Sequence, residues 1–210
     1  MAQKVSDAVI RRLPRYYRQL SVLQQDGVNR ISSLALSRMM NLTASQIRQD
    51  LSCFGGFGQQ GYGYNVSELM RHVAEILGID KEYNMIILGA GNIGQALSNY
   101  AQFGSAGYHI LALFDANPEL IGKAVGGNPI RSIGELEETL AANRVDIAVL
   151  AVPASAARPL ADRLVKAGVR AIWNFAPVEI AISGVVVENA QLTDGLMALT
   201  YRLVELRKEK

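Results

Sequence analysis

Asn84-Met85-Ile86-Ile87-Leu88-Gly89-Ala90-Gly91-Asn92-Ile93-Gly94 decides the fold of this 210-residue chain. An apolar run enters Gly-x-Gly-x-x-Gly, and Gln95-Ala96-Leu97-Ser98-Asn99-Tyr100 continues it with helical character. In a strand–turn–helix of this kind the first glycine permits the tight turn. The second lets backbone approach a pyrophosphate, and the third lets the helix pack close to the strand. A second apolar run, residues 109–114, ends in Asp115, twenty-one residues after Gly94. A carboxylate there accepts from both adenosine-ribose hydroxyls and repels a 2′-phosphate, and the neighbours Ala116-Asn117-Pro118 bring no arginine to hold one. The expected ligand is therefore NADH or NAD⁺ rather than NADPH, held by Gly89, Ala90, Gly91, Asn92, Ile93, Gly94 and Asp115.

Beyond the motif, strand and helix patterns alternate. Strands are expected at 84–88, 109–114, 146–151, 169–174 and 184–188. Helices are expected from about 92, near 133–142 and near 155–167. Such alternation predicts a doubly wound parallel sheet with helices on both faces. Tyr100 falls two turns along the helix that opens at the fingerprint. At the C-terminal end Leu196, Leu199, Leu203 and Leu206 recur at spacings of three, four and three, a narrow stripe suited to docking in a groove. The expected divisions are 1–80, 81–192 and 193–210.

More than eighty residues precede the fingerprint, and their charge differs from the rest. Residues 1–64 hold eight Lys/Arg against three Asp/Glu, whereas residues 65–210 hold thirteen against sixteen. A basic head on a mildly acidic body points to a polyanionic partner for the head. No apolar run reaches the length of a membrane span, and the first residues lack the apolar stretch of a signal peptide, so a cytoplasmic protein is expected. Cys53 is the single cysteine, which rules out an intrachain disulfide and a cysteine-rich metal site; it reads as a small side chain in a core position.

Within the head, Val9, Ile10, Leu13, Tyr17, Leu20 and Leu23 share a helical face, interrupted at Pro14, where a kink or a break into two helices is expected. A second helix starts near Ser32 or Ser33. Thr43 followed by Gln46 has the capping-box spacing that opens a third, in which Ile47 and Leu51 turn inward while Ser45, Gln46, Arg48 and Gln49 face out. Three short helices ending in one rich in Ser, Gln and Arg suit a helix-turn-helix, whose last helix lays Arg and Gln on base edges. Residues 54–66 alternate glycine with aromatic and polar residues as a hairpin would, so the whole head reads as a winged helix. Thr43, Ser45, Gln46, Arg48 and Gln49, with Gln59, Gln60 and Tyr62 of the wing, are the candidate DNA contacts. Ser67 is expected to cap a connecting helix closed by Gly78.

Residues 8–18, Gln46-Ile47-Arg48-Gln49-Asp50-Leu51-Ser52, Gly61-Tyr62-Gly63-Tyr64-Asn65-Val66, the fingerprint and Asn174-Phe175-Ala176-Pro177 together resemble the Rex family of redox-sensing transcriptional repressors. The likeness runs through nearly the whole chain in order. It implies a winged-helix domain joined to a Rossmann domain in a homodimer, with the C-terminal helix exchanged between subunits. It also implies repression of fermentative and respiratory genes that is relieved by NADH. For the switch it implies Arg18 in the head and Tyr100 near the cofactor, with Asp194 the nearest acid at the C-terminal end. Two departures from the family pattern stand out: Gln59-Gln60 stands where members often carry Lys or Arg, and Cys53 where many have tyrosine.

Two alternatives stay open, an NAD(H)-dependent oxidoreductase and a CoA- or nucleotide-binding assembly protein. Against the first, no tyrosine is followed four residues later by lysine, and no Cys, His or Asp cluster suits a metal. Neither His72 nor His109 stands at the functional end of a strand. Too little chain follows the fingerprint for a separate substrate domain.

Overall fold

The structure is a computed structural model that describes residues 5–55 and 62–208. Contacts divide the chain into two compact units, Met1–Lys81 and Glu82–Lys210.

In the first unit, α1 (Asp7–Gln25) is followed by the short strand β1 (Arg30–Ile31), α2 (Ser33–Met40), α3 (Ala44–Ser52), β2 (Tyr64–Asn65) and α4 (Val66–Leu77). α1 runs through Pro14 as one helix, so the alternative of a break into two helices does not hold. Ile10 and Pro14 both lie on its exposed side, so the single amide bond that proline removes is lost on the solvent face rather than in the core. Leu13, Tyr16 and Leu20, all fully buried, pin the helix to the core on either side of that position. Ile10 and Tyr17, placed by periodicity on the apolar face, are exposed and half-buried respectively, and Tyr16 on the opposite flank of the stripe is the residue that enters the core. Ser32 caps α2, its hydroxyl accepting from the Ala35 amide. Asn41 then adopts a left-handed conformation (φ 54°) that turns the chain into α3.

β2 pairs antiparallel with β1, placing Tyr64 opposite Ile31. Gly63 (φ +71°) makes this closure possible, because a Cβ there would stand 2.6 Å from the Ile31 carbonyl oxygen. α4 starts two residues earlier than expected. Asn65 caps it by accepting from the Glu68 amide, while the Ser67 hydroxyl accepts from Gln24.

The second unit holds β3 (Tyr83–Leu88), α5 (Asn92–Ser98), α6 (Gln102–Ser105), β4 (Tyr108–Asp115), β5 (Ala124–Val125), β6 (Asn128–Ser132), α7 (Leu136–Ala142), β7 (Ile147–Leu150), α8 (Ala154–Lys166), β8 (Ala171–Asn174), β9 (Val186–Asn189) and α9 (Leu192–Lys208). Its sheet has the order β5-β6-β4-β3-β7-β8-β9, with β5 alone antiparallel. Counting only the parallel strands, this is the 3-2-1-4-5-6 order of a Rossmann sheet. β5 and β6 were not expected from the sequence. They form a hairpin through Gly126-Gly127 in the place of a crossover helix. Ile86, Leu88, Phe114 and Leu150 meet α7 and α8 on one face, while Ile87, Leu113 and Val149 meet Leu97 of α5 on the other. α9 buries none of its side chains, and Leu196, Leu199, Leu203 and Leu206 of the stripe are all exposed.

Candidate cofactor and nucleic-acid sites

The fingerprint loop follows β3, the strand from which the sheet is wound in both directions, with β4 on one side and β7 on the other. This is the switch point where open α/β sheets form a ligand crevice. Gly89 has φ +100°, and a Cβ on it would run into the Ala151 carbonyl. A Cβ on Gly94 would run into the Gly89 carbonyl, so α5 leaves the strand tightly only because residue 94 is glycine. Gly91, by contrast, faces open space, the room that a pyrophosphate needs beside the backbone. Asn92 and Ile93 open α5, and Gln95 braces the turn by donating to the Ala90 carbonyl at 2.8 Å.

Asp115 closes β4 beside this loop. One carboxylate oxygen accepts from the Ala90 amide at 2.7 Å, and the other from the Asn117 amide at 2.8 Å. The acid therefore shapes the glycine turn. Since a carboxylate offers about four acceptor directions, it also keeps two for a ribose diol.

Tyr100 does not lie on the fingerprint helix. α5 ends at Ser98, where Asn99 folds back to donate to the Gln95 carbonyl. Tyr100 stands beyond it, half exposed, with its hydroxyl donating to Gln102 and its ring edge-on to Phe103. Arg18 is exposed on α1 of the first unit; Asp194 is exposed in the first turn of α9 in the second.

On the first unit, Thr43 caps α3 by accepting from the Gln46 amide. Only half of the expected capping box forms, because the Gln46 side chain turns away to Asp50. Ser45, Arg48 and Gln49 are exposed, and Arg48 donates to Ser33 at the start of α2. Gln46, expected to face out, is only partly exposed. Gln59 and Gln60 lie outside the described residues. Tyr62 is exposed beneath the Arg30 guanidinium, 5.7 Å from the ring centre, and Arg30 also donates to its carbonyl at 3.4 Å. Cys53 is exposed rather than in the core.

A polar cluster that the sequence reading missed lies behind α3. Asp50, with no exposure, accepts from Arg12 Nε at 2.6 Å, Arg12 Nη2 at 2.7 Å, Tyr16 Oη at 2.9 Å and Gln46 Nε2 at 2.7 Å. Burial alone would raise its pKa, yet the bonds from Arg12, Gln46 and Tyr16 hold it below the ordinary carboxylate value. Burial and the bond to Asp50 push the Tyr16 phenol well above its usual range. One turn along, Arg15 donates to the Met40 carbonyl at the end of α2. α1 thus grips both helices of the helix-turn-helix.

No helix among the described residues is long and apolar enough to cross a membrane, and no group of three potential metal ligands occurs among them. Residues 80–178 match the family described as "CoA binding domain", and residues 4–52 the family described as "Putative DNA-binding protein N-terminus". The redox-sensing transcriptional repressor Rex of Caldanaerobacter subterraneus subsp. tengcongensis is 52% identical over 202 residues, covering 96% of this chain and 90% of the relative. The Clostridioides difficile protein of the same name is 50% identical over 204 residues, 97% of both chains. Among solved structures, the Rex-family repressor RSP with β-NAD⁺ and operator DNA superposes with a TM-score of 0.92 at 50% identity, covering 99% of this chain and 97% of that one. RSP with β-NADH gives 0.90 at 47% identity, over 99% and 100%. With identity near one half sustained from the helix-turn-helix to the end of the Rossmann sheet, this chain belongs to the Rex family of redox-sensing transcriptional repressors.

Proposed function

We propose that this chain is a repressor that binds a palindromic operator as a homodimer and releases it as NADH accumulates over NAD⁺. One observation carries the reading. A helix-turn-helix with Ser45, Arg48 and Gln49 facing outward is joined to a Rossmann crevice whose Asp115 is set for an unphosphorylated ribose. RSP, solved with operator DNA and with both nucleotides, supports the same pairing of ligands.

Gly89, Ala90, Gly91, Asn92, Ile93 and Gly94 hold the pyrophosphate, and Asp115 holds the adenosine ribose. CoA is disfavoured despite the domain's description, because its ribose carries a 3′-phosphate that would meet the Asp115 carboxylate. Ser45, Arg48 and Gln49 read the major groove from α3, Thr43 supports them at its N-terminus, and Gln59, Gln60 and Tyr62 add further contacts with the operator. Tyr100, Arg18 and Asp194 relate cofactor state to the head. α9 joins the subunits, and an isologous dimer matches the two half-sites of a palindrome. The protein works in the cytoplasm, where an operator is found, and has no turnover of its own.

NADH shifts the equilibrium only if it favours the DNA-incompetent arrangement and NAD⁺ discriminates less. The test is fluorescence anisotropy of a labelled operator, selected from random DNA, titrated with NADH at fixed NAD⁺. Release by NADH but not by NADPH is expected, and operator must weaken NADH binding by the same factor. If saturating operator leaves NADH affinity unchanged, the switch is refuted.

A further inference from the structure

Gln46 carries an outward-type side chain at the start of a reading helix, yet its amide is spent on a buried acid. Asp50 is ionised and has only acceptors to offer, so it fixes which end of the Gln46 amide faces it: the nitrogen. The side chain lies along α3 toward position 50 instead of projecting from it. Arg12 and Tyr16, one turn apart on α1, meet the same carboxylate from a second helix, Arg12 sharing Oδ1 with Gln46 and Oδ2 with Tyr16. We propose that Gln46 is a positioning residue which, with Arg12 and Tyr16, locks Asp50 and thereby the seating of α3, and that it does not read bases.

The physical reason for a polar lock is direction. Apolar contacts such as Ile47 and Leu51 supply burial but tolerate small slides and rotations of a helix. Four hydrogen bonds converging on one carboxylate do not, and a buried network of this sort serves uniqueness of arrangement more than stability. A rotation of α3 by a few tens of degrees would carry Ser45, Arg48 and Gln49 off their base edges, so operator affinity depends on side chains that face away from DNA. Tyr16 makes the point sharply, being wholly buried and unable to touch a nucleic acid.

This inference rests on the operator-binding reading, and Arg48→Ala tests that reading separately: loss of operator binding there upholds the DNA face whatever happens at Gln46. Asp50→Asn risks the fold, so the lock is tested at its rim. Gln46→Met and Tyr16→Phe are measured in the full chain against the selected operator and all its single-base-pair variants. NADH affinity and a cooperative unfolding transition serve as the check on folding. Each variant is expected to bind operator about three- to tenfold more weakly, with the ranking of the operator variants unchanged. The double variant should be weaker by less than the product, since both act on one carboxylate. Relaxed discrimination at a single base pair in Gln46→Met would make Gln46 a base reader and overturn the proposal. Unchanged affinity in Tyr16→Phe would overturn it as well.

Discussion

Replacing Asp115 with alanine is expected to weaken NADH binding by roughly thirtyfold while leaving NADPH binding no worse. Two of the four acceptor directions of the carboxylate are taken by the Ala90 and Asn117 amides at 2.7 and 2.8 Å, leaving two for the ribose hydroxyls. A hydrogen bond to an ionised acceptor contributes about 1.5–3 kcal/mol, but Asp115 is partly exposed and water competes, so about 2 kcal/mol is taken for the pair. At about 1.4 kcal/mol per decade that is roughly thirtyfold in Kd. NADPH loses nothing on balance, because the same deletion removes a like charge from its 2′-phosphate, so the preference for NADH should shrink by at least the same factor. Asp115→Asn separates shape from charge: its carboxamide accepts from one loop amide and turns an NH₂ toward the other, so the loop is disturbed as the charge is lost. Titration of cofactor fluorescence, repeated by calorimetry, gives the four constants. An NADH Kd unchanged within about twofold, or an unaltered NADH-to-NADPH ratio, would refute the assignment of Asp115 to the ribose.

Arg48→Ala should abolish operator binding while NADH affinity survives; a normal gel shift would clear Arg48 of contact with DNA. Gly94→Ala should eliminate cofactor binding and lower the melting temperature of the second unit, because its Cβ meets backbone rather than a movable side chain; intact NADH binding would mean that α5 can shift away. Asp50→Asn should destabilise the first unit by about 1–3 kcal/mol at neutral pH, since Asp50 is wholly buried but the Arg12 side chain left behind is 22% exposed and can be hydrated. Because the folded pKa of Asp50 lies below its ordinary value, its contribution is complete above the unfolded carboxylate range, about pH 4, and is lost as pH falls through it toward the folded value. Urea midpoints measured against pH should therefore fall on the acid side in the unaltered chain and flatten in Asp50→Asn; parallel curves would contradict this.

The Rossmann half was legible where apolar runs met glycine or acid, as at residues 84–94 and 109–115. β6 escaped because Asn128, Pro129, Arg131 and Ser132 surround a single buried apolar residue, Ile130, and because a hairpin takes the place of the crossover helix that winding rules lead one to expect. Tyr100 was drawn into α5 by composition, whereas the Asn99 side chain ends the helix at a point that periodicity does not mark. In the head, helices and caps were readable from Ser32 and Thr43. The Asp50 cluster was not, since its partners are separated by 38 and 34 residues in sequence. A signal existed: Asp50 flanks the buried face of Ile47 and Leu51 on α3, and Arg12 and Tyr16, partly and wholly buried, stand four apart on α1. An acid on a core face opposite an Arg–Tyr pair is a pattern worth searching for.

The continuity of α1 through Pro14 has a mechanical consequence. Nineteen residues of uninterrupted helix make a rod of about 28 Å at 1.5 Å per residue. Arg12 and Tyr16 clasp α3, Arg15 clasps the end of α2, and Arg18 follows within one further turn on the same rod. A hinge at Pro14 would absorb any twist applied at one end. A stiff shaft instead hands it to both clasped helices together, so that torque on α1 swings the reading head as a single piece rather than loosening it.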